Sequence, residues 1–253
     1  MDATITMSPR RVAGAYLQEI RSECLRYLRA PGFILPVTLF STVFYLMFGV
    51  LLSPPGSDAS RYLLASYTTF GVIGPGLFGF GASLAIEREG GLITLKRALP
   101  MPPGAYLLGK MVMAMGMGML VVVLLLVCGT TLGGVHLPPS RVLAMLATGA
   151  LGVLPFCALG MFVGTLIKGQ GAPGLLNLVY LPMAFLSGLW LPLSMLPNFL
   201  RQIAPIWPSY HLDRVALAAV GLAHEAVLPH LLVLAGFGAA CFALAVRRLR
   251  RVG

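Results

Sequence analysis

An all-α membrane protein is what this sequence predicts: six transmembrane helices, an amphipathic helix at the membrane interface ahead of them, and a re-entrant external hairpin between spans five and six. Three observations carry that expectation. The chain is 58% hydrophobic and only 10% charged, and its mean hydropathy is +0.88. Its apolar residues come in runs long enough to cross a bilayer, whose hydrocarbon core takes about 20 residues of helix. A soluble domain carries roughly 25% charged residues to cover its surface, so water is not the main solvent here. Six spans with short connections consume nearly all of the 253 residues, which predicts one transmembrane domain over 1–253 and no separate soluble domain.

Ser8 and Pro9 open the first helix, as an N-cap followed by proline at the first helical position. From there Tyr16, Leu17, Ile20, Cys24 and Leu28 recur at spacings of three and four, while Arg21 and other polar residues fall largely elsewhere. That pattern predicts a helix lying in the interface. It has no apolar core of the kind a cleavable signal needs, so the first span is expected to stay as an anchor.

The spans are expected at about 33–52, 62–86, 107–132, 142–167, 172–193 and 226–246. Turns rich in Pro and Gly separate them: Pro54, Pro55 and Gly56 after the first, Gly133, Gly134, Pro138 and Pro139 after the third, Gly169 and Gly171 after the fourth. Between Gly169 and Leu200 there is no Asp, Glu, Lys or Arg. That stretch is too long for one span, so something extra is folded into it.

The net charge of +10 does not indicate nucleic acid, because the basic residues flank apolar runs instead of gathering on a water-exposed face. With the N-terminus in the cytoplasm, all of the 18 Lys and Arg except Arg61, Arg141, Arg201 and Arg214 fall on the inside. The positive-inside rule therefore predicts both termini cytoplasmic. The predicted span interiors hold no Asp, Glu, Lys or Arg, which removes the midplane coupling site that ion-driven transporters use.

Two segments look like more than anchors. In the stretch from Glu87 to Pro100, Glu87 and Glu89 begin a short helix and Lys96 and Arg97 lie near its end, as the helix dipole prefers. Leu92, Leu95 and Leu99 share one face of that helix, and Pro100 ends it. Its apolar face needs lipid or a protein partner; an interfacial loop helix whose charges only set topology is the plain alternative. The second segment runs from Gly188 to Arg214, where Pro192, Pro197, Pro205 and Pro208 interrupt an apolar run. Irregular backbone at membrane depth must be shielded or face water, which predicts the re-entrant region over 194–214, with a surface loop as the alternative.

These residues resemble the ABC-2 type transport permeases, membrane subunits of bacterial ATP-binding cassette exporters. The resemblance rests on Glu87-Arg88-Glu89 followed by Gly91, then Pro100 and Gly109-Lys110, and on Leu186-Ser187-Gly188 running into Pro192, Met195-Leu196-Pro197 and Pro208. Leu92 departs from the family, which usually has a small hydroxyl residue there. The resemblance implies that Glu87, Arg88, Glu89, Gly91, Leu92, Leu95, Leu99 and Pro100 form a coupling helix docking on a separate ATPase subunit. The helix with Tyr16, Leu17, Ile20, Arg21, Cys24 and Leu28 would pack beside it. Gly188, Leu191, Pro192, Met195, Leu196, Pro197, Trp207 and Pro208 would form an external gate, and two permease copies would enclose the pathway in the bacterial cytoplasmic membrane. ATP and Mg would be bound by the partner, with no cofactor in this chain.

Other motifs carry less. Gly104 to Met111 is one residue from a phosphate-binding loop, but Met111 stands where a hydroxyl must hold magnesium, so Lys110 is expected to snorkel to the cytoplasmic interface. Gly74-x-Gly76-x-x-Gly79 and Gly160-x-x-x-Gly164 read as close helix packing, and the alternating methionines from Met111 to Met119 as flexible packing. The four cysteines and four histidines have neither disulfide nor metal spacing. No catalytic constellation stands out, although a membrane-embedded lipid enzyme or a non-transporting anchor or sensor subunit remains a different class of reading.

Overall fold

The computed structural model describes residues 8–29, 31–98, 102, 104–223 and 225–252, and among these all regular structure is helical, with no strand. Helix α1 (Pro9–Leu28) starts with Ser8 extended ahead of Pro9. It buries Glu19, Glu23 and Tyr27 and turns Leu17 and Leu28 outward, 67% and 59% exposed. The face given to the protein carries two carboxylates beside Tyr27, and the outward face mixes leucines with arginines, among them Arg10, Arg11 and Arg21.

Helix α2 (Pro31–Phe44) runs into a π-helical segment, Tyr45–Leu51. There Gly49 leaves room for the buried Tyr45, whose ring would be 2.5 Å from any Cβ at that position. Ser57 caps α3 (Asp58–Gly74) by accepting from the Ser60 amide at 3.2 Å. Helix α3, a second π segment (Pro75–Ala82) and α4 (Ser83–Glu89) form one continuous helix of 32 residues, Asp58–Glu89, about 48 Å long. Pro75 cannot supply the amide an α-turn needs, and the ladder widens where it sits. The apolar stretch of this helix is 89% buried, against 11% for the last helix of the chain. The others therefore pack around it as an axis.

Gly90 and Gly91 end that axis, with Gly91 at φ +73, and α5 (Leu92–Ala98) follows. Helix α6 (Ala105–Thr131) lies against α1 and α3. Helices α7 (Pro139–Gly152) and α8 (Leu154–Gly164) make one apolar stretch interrupted at Val153, two residues before Pro155, which has no amide for the ladder. Helix α8 crosses the second π segment through glycines: a Cβ on Gly160 would meet Gly76 O at 2.7 Å, and one on Gly164 would meet Gly81 O at 2.6 Å. Gly160 and Gly164 thus face Gly76 and Gly81 across one seam, while Gly79 faces Tyr27 and Met113 instead. Helix α9 (Ala172–Leu186), α10 (Asn198–Ile203), α11 (Pro208–Val220) and α12 (Val227–Val252) complete the chain, with 3₁₀ turns at Gly169–Gly171, Leu193–Met195 and Ala204–Ile206.

Among the described residues, four helices are long and apolar enough to cross a membrane: Asp58–Glu89, Ala105–Thr131, Pro139–Gly164 and Val227–Leu249. They match the expected second, third, fourth and sixth spans. The expected first span leaves a shorter apolar helix, Thr38–Leu51. The expected fifth stops at Leu186 after 15 residues, about 22 Å of helix, and Gly188 then turns the chain at φ +85. The stretch 194–214 resolves into α10, short 3₁₀ turns and the first half of α11. Helix α11 has no counterpart among the expected elements; it packs against α3, α7 and α12.

Candidate functional site

Where α4 finishes, three carboxylates and three cations from four helices converge. Helix α6 presents Tyr106 and Lys110 one turn apart on a single face. Lys110 is fully buried; its Nζ lies 2.9 Å from Glu87 Oε1 and 3.2 Å from Glu23 Oε2, and it donates to Ser83 Oγ at 2.8 Å. Tyr106 donates its hydroxyl to Glu87 Oε2 at 2.6 Å. From α1, Arg26 pairs with Glu23 at 2.8 Å and also with Glu87. From α5, Lys96 pairs with Glu19 and, at 3.2 Å, with Glu23. The ammonium groups of Lys96 and Lys110 lie 4.6 Å and 5.1 Å from the Tyr106 ring centroid, within range of its π face.

Isolated charges at this depth are strongly disfavoured, and reciprocal pairing with hydrogen bonds is what makes them tolerable. Burial works against the charge of Arg26, yet Glu87 and Glu23 outweigh it and hold the guanidinium above its ordinary pKa. Gly109 lets α1 come close, since a Cβ there would be 3.2 Å from Glu19 Cγ. The arrangement offers no nucleophile and no open acid or base. Its effect is mechanical: α1, α4, α5 and α6 are tied into one body.

The residues expected on the coupling helix divide. Glu87 faces inward at 6% exposure. Arg88 donates to Thr165 O at 2.9 Å and Ile167 O at 3.3 Å, satisfying carbonyls that the end of α8 leaves open. Glu87, Arg88 and Glu89 are the last turn of α4, and α5 begins only at Leu92. Glu89 and Gly91 are exposed, Leu92 is half-buried and Leu95 is 60% exposed; Leu99 and Pro100 lie outside the described residues. On α1, Tyr16, Ile20 and Cys24 are half-buried, and Leu17, Arg21 and Leu28 are exposed. Lys110 does not snorkel, because acidic partners on α1 and α4 reach it inside the protein. Glu19, Glu23, Arg26, Lys96 and Tyr106 were not expected in the cluster. The signal for them is an acidic pair four residues apart in an otherwise basic N-terminal segment.

The expected gate residues surround a sharp turn. Tyr62 donates to Gly188 O at 2.9 Å, and the hydroxyls of Ser187 and Ser209 bond to each other beneath it. Leu196 and Pro208 are buried, Pro192 and Trp207 half-buried, and Leu191, Met195 and Pro197 exposed. Trp190 joins a ring cluster, with centroids 6.5 Å from Phe40, 6.0 Å from Phe70 and 6.3 Å from Phe185. Below it a groove of about 460 Å³ is lined by Phe40, Phe70, Phe78, Asn177, Tyr180 and neighbouring residues of α2 and α9. His211 and His230 meet, Nδ1 to Nδ1, at 2.9 Å. His224 lies outside the described residues, among which no group of three or more metal-capable side chains occurs.

A family model described as "ABC-2 type transporter" matches residues 16–219. The chain is 28% identical over 193 residues to a Bacillus subtilis (strain 168) protein named as a transport permease, YvfS, covering 75% of this chain and 79% of that one. It is 33% identical over 178 residues to the inner membrane transport permease YhhJ of Escherichia coli (strain K12), covering 68% of this chain and 46% of YhhJ, so it spans about half of that relative. The YhhJ of Shigella flexneri matches with the same identity and coverage.

Proposed function

The chain belongs to the ABC-2 type transporter family, and from that membership we propose that it is the permease subunit of an exporter powered by a separate ATP-binding cassette subunit. In this reading it sits in the bacterial cytoplasmic membrane with both termini inside. It crosses six times, with α2 and α9 completing the first and fifth spans and the 194–214 region re-entering from outside. It works with a second permease copy, carries no catalytic site, and leaves ATP and Mg to its partner.

The observation that carries the proposal is the charge cluster at the end of the axial helix. A push on α5 reaches α1 and α6 through Lys96 and α4 through Glu87, and the axis then delivers it to the far end, where Tyr62 holds Gly188. The docking surface is what remains exposed: Glu89, Gly91 and Leu95. The aromatic groove supports an amphiphilic, drug-like substrate, since rings accept flat apolar groups and the exposed Asn177 adds a polar contact, the Tyr180 hydroxyl being committed to Phe70 O; lipid or polysaccharide export is the other substrate class in this reading.

The test is Leu95→Asp, which alters the exposed face without touching the cluster. Expected are normal expression and melting temperature, loss of ATPase subunit co-purification, and at least about tenfold slower transport, the scale of one desolvated charge at an interface. Undiminished transport and co-purification would remove α5 as the docking element.

A further inference from the structure

Helix α11 carries a carboxylate that neither the charge cluster nor the aromatic groove uses. Asp213 is 3% exposed and enters no salt bridge among the described residues. Its neighbours on α3 are hydroxyls: Ser66 and Thr69, both fully buried, flank it, and Tyr62 lies near. Tyr62, Ser66 and Thr69 follow one another along one face of α3. Arg214, the next residue in the chain, has its guanidinium 5.0 Å from the Tyr210 ring centroid. Asp213 Oδ1 and Ser66 Oγ are sealed from solvent without a hydrogen-bond partner, and Thr69 gives its proton to Ala65 O at 3.1 Å.

Other helices packed on α11 direct their charged and titratable groups elsewhere. His230 of α12 meets His211, and Arg141 of α7 donates to Val220 O at 3.2 Å. Among the described residues this leaves Tyr62 and Arg214 beside Asp213. Arg214 lends its charge from nearby but forms no ion pair with Asp213 among the described residues, its guanidinium lying over the Tyr210 ring. An enclosed carboxylate is costly to ionise without a cation bonded to it, and the hydroxyl oxygens at hand are hard ligands that suit an alkali cation. One carboxylate balances one positive charge; a divalent ion would leave a net charge buried.

We infer that Asp213, Ser66 and Thr69 form a buried site for a monovalent cation, a proton or a sodium ion, that fastens α11 to α3. The site stands apart from ATPase docking, and its occupancy bears on the same face of α3 that holds Gly188 through Tyr62. An ATP-driven permease of this kind would then answer to the cation composition of the medium as well as to its motor.

The purified full chain in detergent tests this through its unfolding temperature, with sodium exchanged for choline at constant ionic strength and with acidity varied across about pH 5 to 8. Stabilisation by sodium identifies the ion as sodium. Stabilisation by lower pH with no sodium effect identifies it as a proton. In either case Asp213→Asn, which mimics the neutral carboxyl, removes the dependence. Should that variant not fold, Ser66→Ala with Thr69→Val is expected to move the midpoint by about tenfold in sodium or proton concentration. An Asp213→Asn protein responding like the parent, or a double variant with unmoved midpoints, overturns the site.

Discussion

Removing the ammonium of Lys110 leaves Glu23 and Glu87 buried with one cation fewer, at 3% and 6% exposure. Breaking a buried ion pair from one side costs about 3 to 5 kcal/mol, because the remaining charge has nowhere to go. Lys110→Met is therefore expected to lower the unfolding midpoint sharply in detergent, and adding Glu87→Gln to return a good part of the loss. A Lys110→Met protein as stable as the parent would show that the cluster does not hold the helices together. At this scale the sequence was a partial guide. The positions of Glu87 and Lys110 as special residues were visible, but their pairing was not, since Glu23 and Lys110 lie 87 residues apart and meet only once α1 has packed on α6. Asp213 falls in the stretch expected to re-enter from outside, and its burial against α3 follows only from the packing of α11.

Between elements, glycine does what the long side chains do inside the cluster. The seam of α8 on the second π segment works because carbonyls occupy the space a methyl would need, at 2.7 Å for Gly160 and 2.6 Å for Gly164. Overpacking of this kind costs about 1 to 3 kcal/mol. Gly160→Ala and Gly164→Ala are expected to reduce the yield of folded protein and its melting temperature. Gly174→Ala, where a Cβ meets nothing within 4 Å, is expected to be neutral or to stabilise α9 by about 0.5 to 1 kcal/mol. Equal effects at the three positions would mean that the seam is not close-packed. The glycine spacing was readable as a packing motif. The π widening that brings Gly76 and Gly81 onto one side of the axis was not, because it depends on how the ladder accommodates Pro75 within a helix that its neighbours enclose.

The whole molecule is organised by the axial helix, whose length of about 48 Å exceeds the roughly 30 Å hydrocarbon core. Its two ends therefore belong to opposite aqueous phases if it crosses the membrane. Asp58 at one end has a side chain 80% exposed, and Leu95, just beyond the other, is 60% exposed. In the orientation proposed above from the distribution of Lys and Arg, the Asp58 end, with Arg61 beside it, faces outside and the Leu95 end, with Lys96 and Arg97, faces the cytoplasm. In a chain whose four cysteines are replaced, Asp58→Cys is expected to react with an impermeant maleimide added to right-side-out vesicles. Leu95→Cys is expected to react only in inverted vesicles or after permeabilisation. Cys157 and Cys241 are buried, and Cys24 and Cys128 partly so; their replacement by Ala keeps the background silent at little packing cost. Labelling of both positions from one side would place Asp58 and Leu95 in the same compartment. The axis would then not cross the membrane, and a motor acting on α5 would have no lever reaching Gly188.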